Sequence, residues 1–262
     1  MTDPVVVVPC FNEARRLSPQ GFLPLLERAR ILFVDDGSSD GTLGLLDQIA
    51  EALPGRASVL ALPENGGKAE AVRQGLLAAI ASGATVVAYL DADLAAPADE
   101  MVRLLSLLED RSLEVALGAR VGLLGTCIER HPARHYLGRV FATMASLILD
   151  LRVYDTQCGA KAFRATPLLR AALAAPFHAR WAFDVELIGR LLLGTQSLPG
   201  LSVEQFVEMP LQRWTDVPES KLNLFGAPSL AFEVLRIHFA LRRLRQEQAA
   251  FPAALPSPQD GS

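Results

Sequence analysis

The 262-residue sequence has little of what would place a protein in a special class. It holds three cysteines, Cys10, Cys127 and Cys158, an odd number at wide spacings. They match neither a zinc pattern nor a disulfide framework, so a reducing, cytoplasmic setting is expected. Neither sign of charge dominates, and a net charge of −4 gives no basic excess of the kind that nucleic-acid binders carry. Nucleic acid is therefore not an expected partner. No run reaches the ~20 apolar residues needed to cross a bilayer. The longest uncharged stretch, Gln74 to Leu90, is broken at Ser82-Gly83 and reads as a helix end followed by a strand. Asp3 and Pro4 lead straight into a short apolar run, which is not the pattern of a signal peptide. There is no internal repeat. The glycine-rich GxGxxG of a dinucleotide fold is also missing, which weakens a dehydrogenase reading.

What is present suits a well-cored globular protein: half of the residues are hydrophobic and 21% are charged. Val5 to Val8 is a β-branched run and reads as a buried parallel strand. Ile31 to Val34, Ser58 to Leu62, Thr85 to Leu90 and Val115 to Gly118 read as further strands. Between them, leucines at helical spacing predict helices over Leu17 to Ala29, after Asp40 as N-cap through Ala52, over Lys68 to Ala81, and over Met101 to Glu109. Strands alternating with helices predict an α/β fold, with a mostly parallel sheet covered on both faces. Helical packing is expected to dominate again from Arg134. Residues 1–228 are read as the catalytic domain, 229–247 as an amphipathic basic helix, and 248–262 as a disordered tail.

Ligands of an open α/β sheet bind beyond the carboxyl ends of its strands. Four polar clusters lie there: Pro9 to Glu13, Asp35 to Asp40, Glu64 to Lys68 and Asp91 to Asp93. Their convergence predicts one crevice. Asp91-Ala92-Asp93 puts two carboxylates on one side of an extended segment, a hard-oxygen pair suited to Mg²⁺ or Mn²⁺ beside a diphosphate. Taken alone, a DxD of this kind also occurs as a capping loop. Asn65-Gly66-Gly67-Lys68 offers open backbone and a cation at a helix start, as a phosphate requires. It is not a P-loop, because the glycine spacing and the hydroxyl residue after the lysine are absent.

The strings VPCFNEARRL, FVDDGSSDGT, ENGGKAEAVRQGL and YLDADLAAP, in that order, resemble the blocks of family-two inverting glycosyltransferases of the GT-A fold. The resemblance spans Val5 to Pro97. It implies a nucleoside pocket at Pro9, Asn12 and Glu13, with Asp35 at the base. It further implies Lys68 by the diphosphate or base, Asp91 by the ribose and sugar, and Asp93 on the metal, with Asp91 beside it. The implied reaction inverts the anomeric centre of a nucleoside diphosphate sugar. A silent sugar-nucleotide-binding module would have no need of the carboxylate pair, and a nucleotidyltransferase would carry a glycine-rich loop where Asn12 and Glu13 stand.

Further along, DTQCGAKAF (155–163), RWAFDVEL (180–187) and PLQRWTDVPESKL (210–222) are similar to blocks of the dolichyl- and polyprenyl-phosphate glucosyl- and mannosyltransferases. The first two lean toward the β-glucosyltransferase type. One departure is Ala160, where that branch commonly carries a bulkier aromatic. The expected acceptor is then a polyprenyl phosphate, with UDP-glucose favoured as donor. A lipid monophosphate has a second pKa of about 6 and is largely dianionic at neutral pH. Such a nucleophile needs cations more than it needs a base, and Arg120, Arg213, Lys221 and Lys161 are the candidates. Asp184 would be the base for a hydroxyl acceptor, soluble or polysaccharide. For a phosphate acceptor, Asp184 and Asp155 would orient other groups, and either carboxylate could instead be a buried ion-pair partner of Arg180 or Lys161. Trp181 and Trp214 either stack on the sugar or fill core. Two stretches put basic residues beside apolar ones: Tyr136 to Leu149 with Arg130, Arg134 and Arg139, and Ser229 to Gln246 with Arg236, Arg242, Arg243 and Arg245. Both fit a helix lying on the inner face of a membrane as well as one packed on a core. A second copy of the chain completes the set of expected partners.

Overall fold

The structure, a computed structural model, describes residues 3–129, 132–216 and 227–250, with side chains left undescribed over 132–137, 227–232 and 248–250. A seven-stranded sheet runs through it in the order β3-β2-β1-β4-β7-β5-β8. The strands are β1 (Val5–Cys10), β2 (Arg30–Asp35), β3 (Ala57–Ala61), β4 (Val86–Leu90), β5 (Val115–Ala119), β7 (Ala160–Arg164) and β8 (Phe206–Pro210). β6 (Cys127–Glu129) and β9 (Arg213–Thr215) form a separate two-stranded ladder. β1 is flanked in parallel by β2 and β4, which brings the carboxyl ends of these three strands to one edge.

Continuous apolar strands need cover on both faces, and each face has its own core. Val5, Val7, Leu32, Val34 and Tyr89 face α2 (Lys68–Ala81), α5 (Pro167–Ala174) and α6 (Phe183–Leu193). Val6, Val8, Ile31 and Phe33 face α1 (Thr42–Ala52), α3 (Ala98–Leu107) and the segment Pro19–Glu27. Alternate residues of one strand thus serve opposite cores, as the period of two requires. α2 comes close to the sheet because Gly75 has no side chain. A Cβ there would strike methyl groups of Val7 and Val34.

Four expectations are corrected. The segment read as a helix over Leu17 to Ala29 is a 3-10 helix, Pro19–Glu27, with Pro24 inside it. A proline has no N–H to give an α-helical bond, and Phe22 and Leu25 supply the buried contacts that hold the tighter turn. Element ends also shift by one to three residues: the third strand begins at Ala57, the fourth at Val86 and the third α-helix at Ala98. Helices do dominate beyond Arg134, but strands not read from the sequence lie among them. They include β7, antiparallel to both β4 and β5, and β8, parallel to β5. Finally, Asp40 is not the N-cap expected of it: Gly41 holds that position at the start of α1, and Asp40, one residue earlier, accepts from the Thr42 N–H at 2.9 Å through Oδ1.

The expected C-terminal helix is α7 (Ala227–Ala250), which extends three residues into the tail; residues 251–262 lie outside those described. Val234, Ile237 and Leu241 bury one side of it in the α6 core, while Leu235 and Phe239 stay exposed. Among the described residues, no helix is long and apolar enough to cross a membrane.

Candidate active site

Four loops meet over the carboxyl ends of β1, β2 and β4, and each is tied to the next by side chains. Asn12 takes a left-handed backbone (φ 53°), which Asn tolerates better than most residues. Its Oδ1 accepts from Ser39 N at 2.9 Å, and its own N–H donates to Ser38 Oγ at 3.0 Å. Glu13 N donates to Thr42 Oγ1 at 2.8 Å, and the Glu13 carboxylate pairs with Arg16 at 2.6 Å. Pro9 lies within β1, half-buried. Asp35 closes β2 and is 3% exposed. Its Oδ2 accepts from Ser38 N at 3.1 Å, while Oδ1 is buried with no hydrogen-bond partner among the described residues. A buried carboxylate oxygen without a donor is an acceptor available to a ligand N–H.

Asp36 was missed by sequence reasoning, yet it holds the third loop. Its carboxylate accepts from Gly66 N (2.8 Å), Gly67 N (2.9 Å) and Asn65 Nδ2 (3.1 Å). Burial pushes its pKa up against the opposing pull of the Gly66 and Gly67 amides. The loop so formed delivers Lys68 as the first residue of α2, and Lys68 Nζ lies 2.6 Å from Asp91 Oδ1. Burial disfavours the Lys68 charge, but Asp91 and Asp184 outweigh it and keep the amine cationic. Asp93, two residues on, is pushed up by burial and then by Asp91; its Oδ1 accepts from Ala95 N at 3.1 Å.

The acceptor-side block is in direct contact with this crevice. Asp91 N donates to the Gly159 carbonyl at 3.0 Å, and a Cβ at Gly159 would strike the Asp91 carboxylate. Glycine is therefore needed at that place in DTQCGAK. Arg120, just past β5, makes a bidentate pair with Asp155 (Nε–Oδ2 2.6 Å, Nη2–Oδ1 2.8 Å) and lies 5.4 Å from the Trp214 ring centroid. Burial opposes the Asp155 charge, but the Arg120 guanidinium holds the carboxyl well below the usual carboxylate range. Glu208 of β8 braces the same turn by accepting from Tyr154 N and Asp155 N.

Several expected acceptor residues are placed differently. Lys161 is 1% exposed, inside the sheet, with Nζ 3.0 Å from Asp184 and 2.9 Å from the Tyr89 hydroxyl. It is a buried ion-pair partner and does not reach solvent to meet a phosphate. Asp184, on the first turn of α6, also accepts from Tyr89 Oη. Arg213 is exposed and pairs with Asp99 of α3. Trp214 is 9% exposed and packs in the core, so the core-filling reading holds for it; Trp181 is 41% exposed. Lys221 lies outside the described residues. Arg180, not singled out from the sequence as a site residue although RWAFDVEL carried its signal, lies against Gly67, and Glu233 accepts from its backbone N–H.

The seven-stranded, mostly parallel fold has counterparts among solved structures. One is glucosyl-3-phosphoglycerate synthase from Mycobacterium tuberculosis, solved with Mn²⁺ and UDP-glucose. It aligns with a TM-score of 0.63 at 19% identity, over 91% of this chain and 78% of that one. The fold is GT-A, and with the sequence relatives below it defines a nucleotide-sugar-dependent glycosyltransferase. The chain belongs to glycosyl transferase family 2, whose pattern matches residues 5–170. It is 32% identical over 239 residues to dolichyl-phosphate beta-glucosyltransferase of Drosophila melanogaster, covering 84% of this chain and 69% of that protein. It is 28% identical over 252 residues to a dolichyl-phosphate beta-glucosyltransferase of Trichomonas vaginalis, covering 90% and 71%. Polyprenol monophosphomannose synthase of Mycolicibacterium smegmatis matches at 29% over 196 residues, covering 72% and 71%.

Proposed function

We propose that this protein moves a hexose, glucose favoured, from a UDP-sugar to a polyprenyl phosphate. The observation that carries the choice of acceptor is the state of Asp184. A hydroxyl acceptor must lose a proton, and the carboxylate expected to take it is 4% exposed and bound to Lys161 and Tyr89. Asp155 is bound to Arg120. A phosphate acceptor needs neither, because it is already anionic. The relatives named as dolichyl- and polyprenyl-phosphate enzymes support the same choice.

In this reading an oxygen of the lipid phosphate attacks C1 of the sugar from the face opposite the nucleotide. The C1–O bond to the β-phosphate breaks and UDP departs with the bonding pair, so the anomeric centre inverts. Asp35 Oδ1 accepts the imide N–H of the base, Asn12 and Glu13 frame the nucleoside, and Lys68 faces the diphosphate. Arg120, held by Asp155, offers positive charge on the acceptor side. Asp91 and Asp93 fit a Mg²⁺ or Mn²⁺ ion: both are hard carboxylates at one loop, and Asp93 commits only Oδ1 to the backbone. The bound cation would supply charge neutralisation to the departing diphosphate.

The test is UDP release with UDP- and GDP-sugars, Mn²⁺ and a short-chain polyprenyl phosphate in detergent. Labelled glucose passing into the organic phase only with the lipid phosphate is the expected result. Slow hydrolysis indifferent to the lipid would turn the acceptor assignment to a soluble hydroxyl compound.

The acceptor also argues for peripheral contact with the inner face of a membrane. Val140 and Leu147 of α4 (Pro132–Leu149), and Leu235 and Phe239 of α7, are apolar and exposed. Arg242 and Arg243 flank the α7 pair, and Arg245 reaches the Ile148 carbonyl of α4 at 3.4 Å. Apolar side chains beside arginines suit an anionic interface. Flotation with anionic liposomes is expected to carry the wild type and to leave a variant with Arg242, Arg243 and Arg245 changed to Glu behind. Equal flotation of both would remove these helices from the interface.

A further inference from the structure

The loop between α5 and α6 is gripped from two sides by carboxylates, one buried (Glu186) and one half-buried (Glu233). Glu186 of α6, 1% exposed, accepts from His178 N (2.8 Å), Ala179 N (3.4 Å) and the His178 ring. Glu233 of α7 accepts from the next three backbone N–H groups, Arg180 (3.3 Å), Trp181 (3.0 Å) and Ala182 (3.0 Å). Few loops have five successive amides held in this way, and the side chain presented at the centre of this one is Arg180.

Its guanidinium lies against Gly67. A Cβ built there would be 3.0 Å from Arg180 Nη2 and 3.1 Å from Nε, and Gly67 already has a φ of +87° that favours glycine. Arg180 therefore stands over the residue that immediately precedes Lys68, at the start of α2. Asp36 is near enough for Arg180 to favour its ionised form, but its oxygens are taken by Asn65, Gly66 and Gly67. Arg180 makes no ion pair with any described residue. The result is an exposed, planar, five-donor cation held beside a second cation, Lys68, whose own partner is Asp91. An exposed guanidinium with no ion pair of its own is open to an anion, and its fork matches the oxygens of a phosphate.

We propose that Arg180 is a further donor-binding residue, contacting the diphosphate together with Lys68, and that Glu233 positions it from the C-terminal helix. The inference rests on the donor-site reading above and adds α7 to that site. A phosphate could also arrive on the acceptor, but the place of Arg180 over Gly67, on the Lys68 side, favours the donor.

Calorimetric titration of UDP with Mn²⁺ and no acceptor separates these cases, using wild type, Arg180→Ala, Arg180→Lys, Lys68→Ala, Glu233→Ala and Glu233→Gln. Arg180→Ala is expected to weaken UDP binding about 10- to 100-fold, the range of a lost charge-assisted hydrogen bond, with Arg180→Lys between it and wild type. Glu233→Ala should weaken UDP as well, but not further in a chain already carrying Arg180→Ala. Glu233→Gln keeps a carbonyl acceptor and should recover part of the loss, which a merely destabilising role would not predict. Unchanged UDP affinity in Arg180→Ala, while Lys68→Ala loses it, overturns the inference and leaves the donor site standing. The same outcome with a raised KM for polyprenyl phosphate would hand Arg180 to the acceptor. If wild type does not bind UDP, or Lys68→Ala binds it undiminished, the donor-site reading fails and takes this inference with it.

Discussion

Replacing Lys161 by methionine is expected to destabilise the protein by about 3–5 kcal/mol, the cost of breaking a buried ion pair from one side. The length and flexibility of the two side chains are similar, so packing in the sheet changes little. What changes is the state of Asp184, which keeps the Tyr89 hydroxyl as its hydrogen-bond partner, with only the charge of Lys68 nearby, while its side chain is 5% exposed. An ionised carboxylate with one neutral donor and no water is among the costlier arrangements in a protein interior. Changing Asp184 to Asn in the same chain should recover much of the loss, because the uncompensated charge is then gone. Chemical unfolding of the wild type and the two variants measures this directly. A loss below about 1 kcal/mol in Lys161→Met, at the level of an exposed salt bridge, would mean that Asp184 finds water or a proton.

Asp93→Ala is expected to act on function instead. Metal-dependent UDP binding should disappear and turnover should fall by about 10²- to 10³-fold, the scale of losing several kcal/mol of charge stabilisation at a leaving diphosphate. The fold should survive, since Asp93 is only partly buried and its hydrogen bond is to the Ala95 amide, within its own turn. Chelating the metal from wild type should reproduce the same loss and add nothing in the variant. Titration heats equal to wild type would remove Asp93 from the site.

How much of this could be read from the sequence follows from how local each feature is. β1, β2 and β4 were legible because their apolar runs stand between polar loops. The bounds of α2 were read as observed, because Gly67 before it and Ser82-Gly83 after it punctuate the helix. Lys68 and Asp91 could be assigned to one crevice, since strands in a parallel sheet carry their carboxyl ends to the same edge. The 3-10 segment was less legible: leucine spacing outweighed Pro24 in the reading, and the proline decided the geometry. β7 was missed because nothing in Ala160–Arg164 names its partners, which are supplied by β4 and β5, 44 to 78 residues earlier by the register. For the same reason Lys161 was taken for a phosphate ligand. Its burial depends on Tyr89 and Asp184, and a cation beside a polar motif looks the same in sequence whether it faces solvent or a distant carboxylate. Arg180 depended on a carboxylate 53 residues further along the chain.

β7 also governs how this enzyme can be divided. Its register joins Val86–Leu90 on one side and Val115–Leu117 on the other, so a strand from the acceptor half stands in the middle of the donor half's sheet. Cutting the chain between β5 and β7 would leave the facing edges of β4 and β5 unpaired with an empty lane between them, an invitation to aggregation rather than a free-standing nucleotide-binding fragment. Hybrid enzymes joined in simple sequence order inherit the same difficulty. A chimera that keeps this donor crevice and borrows a new acceptor surface has to retain residues 155–164 from the donor parent, and place its junctions on the surface side of that strand.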